Sequence, residues 1–158
     1  GLAVAFLIIS GYLVAFVEPM AAGSGIPEIK SFLNGVNLPR ALGLRALTGK
    51  GVGIIFAVSG GLCVGKEGPL IHSGAALANI ILHLPGIGRC LCLEDFKLYR
   101  NDRKKRDFIS CGAAAGVATA FGAPMGGVLF SMEEASSFWS APLTWRVFFS
   151  AMTATFML

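Results

Sequence analysis

The segment GGLCVGKEGPLIHSG, residues 60–74, contains the residue types that most directly suggest chemistry. Gly60, Gly65 and Lys66 have the spacing of a phosphate-binding loop, but such a loop continues with Ser or Thr, whose hydroxyl binds magnesium. Glu67 stands at that position instead. The segment also joins two apolar runs rather than a strand and a soluble helix, so the sequence argues against a nucleotide-binding module.

Glu67 has two possible roles. A carboxylate at the positive end of a buried helix can occupy the place of a bound anion and can leave that place when it is protonated. Because ionisable groups inside membrane spans are costly and usually functional, this interpretation makes Glu67 a gate. In the other interpretation the carboxylate only stabilises the helix dipole.

A second glycine-rich turn, GSGIPE at residues 23–28, places a hydroxyl between two glycines just before a predicted helix. Glycine lets the backbone approach a ligand closely. The hydroxyl of Ser24 and the unpaired N–H groups of the helix start could therefore donate to an anion together. A simple helix-capping serine is the alternative interpretation.

Two adjacent acids, Glu133 and Glu134, end the apolar segment FGAPMGGVLFSM. They are either a solvated helix end or proton acceptors that face the cytoplasm. Neighbouring residues on a helix point about 100° apart, so only one of the two is expected to face a given pathway.

The composition indicates a membrane protein. Of the 158 residues, 54% are hydrophobic and only 14% are charged, and the mean hydropathy is +0.71. Several apolar runs approach the length of roughly 20 residues that crosses a bilayer core. The predicted helices span residues 1–17, 27–34, 44–64, 70–84, 108–121, 125–132 and 143 onward. Gly and Pro interrupt the runs at 65–69 and 122–124, as in transporters whose broken helices point their positive ends at anions.

Basic residues concentrate in the connectors between these runs. Seven Lys and Arg lie within residues 89–106, and Arg40, Arg45 and Lys50 lie near another connector. The positive-inside rule places both groups in the cytoplasm. Nucleic-acid binding is disfavoured, because no aromatic or groove-reading pattern accompanies the charges.

Glycine and cysteine spacings give two further predictions. Gly112 and Gly116, and likewise Gly122 and Gly126, have the four-residue spacing that lets helices pack closely. Four cysteines include the pair C-x-C at residues 90–92, which lacks the His or second Cys pair of a zinc site, so no metal site is expected. Since the chain starts and stops inside apolar runs, it is expected to be an internal fragment of a larger membrane domain, without a signal peptide.

The motifs GSGIPE, GKEGP and GAAAGVATAFGAPMGGVLFSMEE, in this order, resemble the CLC family of chloride channels and chloride/proton exchangers. KRDF, CGAAAGV, EEASSFW and LTWR are most similar to the eukaryotic intracellular branch of endosomal, lysosomal and plant vacuolar members. The resemblance implies an all-α membrane fold of broken and tilted helices. Residues 1–158 would form the first half of its inverted repeat, with the second half and the cytoplasmic regulatory domains lying outside them.

The resemblance also implies functional roles. Glu67 would be the gating glutamate and Glu134 the proton-transfer glutamate of an exchanger, and Ser24 would favour chloride over nitrate. The implied anion-binding residues are Ser24, Gly25, Ile26 and Gly68. The implied function is chloride/proton antiport by a homodimer in an endosomal, lysosomal or vacuolar bilayer, with a passive chloride channel as the alternative. No enzymatic activity, cofactor, metal or nucleic-acid partner is implied.

Overall fold

The structure is a computed structural model that describes residues 1–36, 38, 41–83, 101–135 and 139–158. These ranges are mostly helical and contain no β-strand, so the predicted all-α class is confirmed. The paired cysteines at 90 and 92, Arg40 and the greater part of the basic connector lie outside the described residues.

Within the described ranges, seven α-helices follow one another. They are α1 (Leu2–Tyr12), α2 (Ile26–Leu33), α3 (Leu44–Ser59), α4 (Glu67–His83), α5 (Asp102–Phe121), α6 (Pro124–Phe130) and α7 (Ala141–Phe156). A π-helical turn at Leu13–Val17 and a 3₁₀ turn at Pro19–Ala21 follow α1, and a π-helical turn at Ser131–Ala135, here named the acidic turn, follows α6. In the described part of the chain, none of the helices is both long enough and apolar enough to cross a membrane.

The helices are interrupted near both predicted Gly- and Pro-containing segments, but several boundaries differ from the predicted ones, including the start of α4 at Glu67 instead of Leu70. Helix α3 ends at Ser59 instead of Val64, because Gly61 has a φ of +83° in the left-handed region that only glycine adopts easily. Helix α5 starts at Asp102 instead of Phe108. The Asp102 carboxylate favours that start, since negative charge stabilises the N-terminal end of a helix dipole.

Two groups of buried apolar side chains form the core. The larger one joins α2, α4, α5 and the acidic turn, and it contains Ile29, Leu33, Ile71, Ala75, Ile109, Ala113 and Ala135 among others. The smaller one joins α5, α6 and α7 through residues that include Ala114, Val128, Leu143 and Val147. Helix α5 lies at the centre, because it contributes to both groups.

Small residues bring α4 and α5 into backbone contact. A Cβ on Gly112 would lie 2.5 Å from the carbonyl oxygen of Gly74, and one on Gly116 would lie 2.7 Å from the carbonyl oxygen of Leu70. The prediction for Gly112 and Gly116 is therefore confirmed. The parallel prediction for Gly122 and Gly126 is wrong. Gly122 ends α5 with a φ of +64°, and no described atom lies within 4 Å of the position of its Cβ.

Candidate anion and proton site

Two helix N-termini meet at Ser24. Helix α2 begins one residue after its N-cap Gly25, and α4 begins at Glu67. A Cβ on Gly68 would lie 2.8 Å from the Cβ of Ser24 and 3.1 Å from the Ser24 carbonyl oxygen. The first turn of α4 therefore lies directly against Ser24, and only glycine fits there. The positive ends of two helix dipoles come together at this point, which favours a negatively charged ligand.

Ser24 precedes the N-cap and is not the N-cap itself. The cap is Gly25, whose φ of +83° turns the chain into α2. The exposed Ser24 hydroxyl oxygen accepts a long hydrogen bond, 3.4 Å, from the N–H of Ile26. Because a hydroxyl donates one hydrogen and accepts through its oxygen, Ser24 keeps its own proton for a ligand. That it binds an anion stays a prediction.

Replacement of Ser24 by Pro is expected to raise the ratio of nitrate to chloride transport several-fold in the full-length protein. Proline removes the hydroxyl donor and stiffens the turn that leads into α2. Flux of each anion into proteoliposomes gives the ratio. Ser31→Ala, which removes a hydroxyl elsewhere in α2, serves as the control and should leave the ratio as it is. If Ser24→Pro gave the wild-type ratio, Ser24 would not choose the anion.

Glu67 is the first residue of α4 and is half-buried. Its side chain folds back over the preceding turn, so that a Cβ on Gly65 would lie 3.3 Å from the Glu67 Cδ and would collide with its carboxylate. Gly65 thus provides the space in which this carboxylate lies. The carboxylate occupies the positive end of α4, next to the residue that contacts Ser24, as both interpretations of Glu67 require.

Glu134 lies in the acidic turn and forms an ion pair with Lys30 of α2. The side chain of Glu134 is 58% exposed and that of Lys30 is 40% exposed. Glu133 is also exposed. The structure therefore connects Glu134 to the helix whose N-terminus contributes to the candidate anion site. Lys30 was not singled out from the sequence, because the two partners are 104 residues apart.

Lys50 corrects one of the sequence predictions. It was grouped with the cytoplasmic connector charges, yet it lies within α3 and is only 3% exposed. Because α3 begins at Leu44, Lys50 falls on the buried face of the helix. The signal was present in the sequence, since the buried small residues Ala46, Gly53 and Ala57 recur around it at helical spacing.

The Lys50 ammonium lies beneath Gly25. A Cβ on Gly25 would lie 2.6 Å from Lys50 Nζ and 2.5 Å from His72 Cδ2, so the ammonium and the imidazole are neighbours there. His72 is 1% exposed. The charge of Glu28 interacts with that of Lys50. Lys50 Nζ and one Glu28 oxygen are both buried without a hydrogen-bond partner among the described residues.

A cavity of about 330 Å³ adjoins both glycine-rich turns. Gly23 and Val64 line it from the two turns, and Lys50 lines it from α3. A cavity of this size can hold a small anion. Lys50 would favour a negative charge in this open recess, because opposite charges attract.

The geometry can be compared with that of known proteins. The 158-residue chain is 56% identical to H(+)/Cl(-) exchange transporter 7 of Homo sapiens, in an alignment over 98% of this chain and 19% of that protein. It is 46% identical to the putative chloride channel-like protein CLC-g of Arabidopsis thaliana, over 96% of this chain and 20% of that protein. The chain thus spans about a fifth of the length of these curated relatives.

A solved structure and a family model agree with these relatives. The fold superposes on the crystal structure of a eukaryotic CLC transporter with a TM-score of 0.82 and 32% identity, over 99% of this chain and 28% of that one. The model of the voltage gated chloride channel family matches residues 6–158. Since that match covers nearly every residue, the protein belongs to the voltage gated chloride channel family.

Proposed function

We propose that the full-length protein exchanges chloride for protons across an intracellular membrane. The observation that carries the proposal is the contact of Gly68 with Ser24, which unites two helix N-termini around one position for an anion. The Glu67 carboxylate begins α4 at this position, and the Glu134 carboxylate is ion-paired with Lys30 further along α2. The relatives named as H(+)/Cl(-) exchange transporters support the same function.

In this proposal chloride binds at the joined ends of α2 and α4. The Ser24 hydroxyl donates a hydrogen bond to chloride, and the backbone at Gly25, Ile26 and Gly68 adds N–H groups and a partial positive charge. The Glu67 carboxylate competes with chloride for the positive end of α4. Protonation removes its charge, so that it yields the position to chloride and carries a proton in the opposite direction.

Glu134 exchanges protons with the cytoplasm in the same proposal. A second carboxylate is included because protons must reach Glu67 from the cytoplasmic side without crossing the position that chloride occupies. The exposed Glu134 side chain can take a proton from water, and its pairing with Lys30 keeps it beside α2. Proton entry and chloride entry then use different routes toward Glu67.

The proposal extends to the assembly and its location. Residues 1–158 form part of one transmembrane domain, and the complete protein is a homodimer in an endosomal, lysosomal or vacuolar bilayer. Chloride, protons and lipid are its partners, and transport uses no cofactor, metal or nucleic acid. The named exchanger relatives support chloride and protons as its partners.

The reversal potential of the full-length protein, measured at several pH gradients, tests the proposal. An exchanger moves protons and chloride together, so its reversal potential should shift with the pH gradient at constant chloride. A passive chloride channel follows the chloride gradient alone. A reversal potential that did not respond to pH would therefore contradict the proposed exchange and favour a passive chloride channel.

Glu134→Gln is expected to keep chloride flux and to lose proton flux, because glutamine has the size of glutamate but cannot release a proton. Glu133→Gln is the matched control, since Glu133 is the adjacent exposed acid of the same turn. Chloride and proton fluxes are recorded together on the full-length variants. Coupling that survived in Glu134→Gln would show that Glu134 does not transfer protons. Loss of coupling in Glu133→Gln alone would assign proton transfer to Glu133.

A further inference from the structure

We infer that Lys30 is a positioning residue for proton transfer, which holds the Glu134 carboxylate against α2. This inference rests on the proposed function of Glu134. Its basis is the ion pair between Lys30 Nζ and Glu134 Oε2, which joins two elements far apart in the sequence. Both side chains are long and flexible, so without a partner each would sample many orientations in solvent.

The backbone of the acidic turn is fixed from two sides, which leaves the Glu134 side chain as the variable part. Ala135 is 1% exposed and packs in the same core group as Ile29 and Leu33 of α2. On the other side, the buried Ser131 hydroxyl lies 2.5 Å from the Ser110 hydroxyl of α5 and donates to the Ser110 carbonyl over 3.3 Å. The turn therefore brings Glu134 to α2 in a defined place, and Lys30 determines where its carboxylate lies.

A role in stability does not account for the Lys30–Glu134 pair. Exposed ion pairs contribute little to folding, because solvent weakens the attraction and ordering two long side chains reduces their entropy. The buried contacts of Ala135 and Ser131 already hold the turn to its neighbours. The ion pair instead determines where the Glu134 carboxylate lies.

The position of the Glu134 carboxylate matters because α2 contributes both to the candidate anion site and to the ion pair with Glu134. Its N-cap Gly25 adjoins Ser24, and Lys30 follows five residues later, about 7.5 Å further along the helix axis. Lys30 therefore lies less than two helical turns from the N-cap of α2, and its ion pair holds Glu134 to the same helix. Proton transfer needs donor and acceptor, or one linking water, within hydrogen-bond reach. A carboxylate that is free to rotate into solvent meets that requirement less often.

Lys30→Met tests the inference, because methionine keeps a long side chain and removes the charge. Chloride and proton fluxes are measured on the full-length protein in proteoliposomes. We expect the proton-to-chloride ratio to fall several-fold while chloride flux stays near the wild-type value. Lys30→Arg, which retains a cation that binds carboxylates, should restore most of the ratio. A side chain that supported only the fold would lower both fluxes in parallel.

A double variant separates this inference from the function on which it rests. If Lys30 acts only through Glu134, adding Lys30→Met to Glu134→Gln should leave chloride flux at the value of Glu134→Gln alone. An unchanged ratio in Lys30→Met, a parallel fall in both fluxes, or an extra fall in chloride flux in the double variant would each overturn the role of Lys30. Retained coupling in Glu134→Gln would instead overturn the proposed role of Glu134.

Discussion

Glu67→Gln in the full-length protein is expected to transport chloride without moving protons. Glutamine copies the shape of a protonated glutamate and cannot bind or release a proton, so the variant should resemble a gate held in its uncharged state. The carboxylate lies at the N-terminus of α4, beside the glycine that contacts Ser24. Its removal therefore takes away the competitor for chloride and leaves the helix end in place. Proton flux should fall to the background of protein-free liposomes.

The measurement is proton movement driven by a chloride gradient, in parallel with chloride efflux. Glu133→Gln provides the control for loss of an acidic side chain, because Glu133 is exposed in a different element. Continued uphill proton pumping in Glu67→Gln would show that this carboxylate only stabilises the helix dipole. Loss of both fluxes would show that Glu67 is needed for chloride transport itself.

Gly112→Ala is expected to lower the melting temperature of the detergent-solubilised full-length protein clearly. A Cβ at this position would lie 2.5 Å from the Gly74 carbonyl oxygen and 2.7 Å from the Ala78 Cβ, so α4 and α5 would have to move apart. Overpacking of this kind typically costs about 1–3 kcal/mol. The loss of stability should appear as aggregation at a lower temperature, measured by size-exclusion chromatography of heated samples.

Gly126→Ala is the matched control for that experiment. Its added Cβ would meet one neighbour, the Ala123 Cβ, at an ordinary contact distance of 3.5 Å. Alanine also has a higher helix propensity than glycine, so this variant should be as stable as the wild type or slightly more stable. Equal melting temperatures for Gly112→Ala and Gly126→Ala would mean that the contact between α4 and α5 does not depend on glycine at 112.

The helix breaks could be predicted because they are local. Gly122 adopts a positive φ and Pro124 begins a helix, and each of these preferences belongs to the residue type itself. The positive φ of Gly61 was not predicted, because this glycine stands within an apolar run. The candidate site residues were also recognisable, since Ser24 and Glu67 stand in glycine-rich turns that precede helices. The sequence alone did not reveal their proximity, which the contact of Ser24 with Gly68 provides.

The features that the sequence did not predict depend on tertiary packing. Lys50 was grouped with the connector charges because Arg40 and Arg45 lie near it in the sequence, and its burial follows from the face that α3 turns toward α4 and Gly25. The pairing of Lys30 with Glu134 had no local signal at all. Charge patterns predict on which side of a membrane a segment lies, but they do not predict which opposite charge a side chain meets after the helices dock.

The conformation of Gly25 has a consequence for inherited variation. Every single-nucleotide missense change in a glycine codon yields a residue with a Cβ, and at this position that atom would lie within 2.7 Å of both the Lys50 ammonium and the His72 ring. The same residue would also have to hold a φ of +83°, which L-amino acids rarely adopt. A substitution as small as alanine therefore carries both penalties, and the different alleles possible at this codon should all encode a destabilised protein instead of forming a graded series.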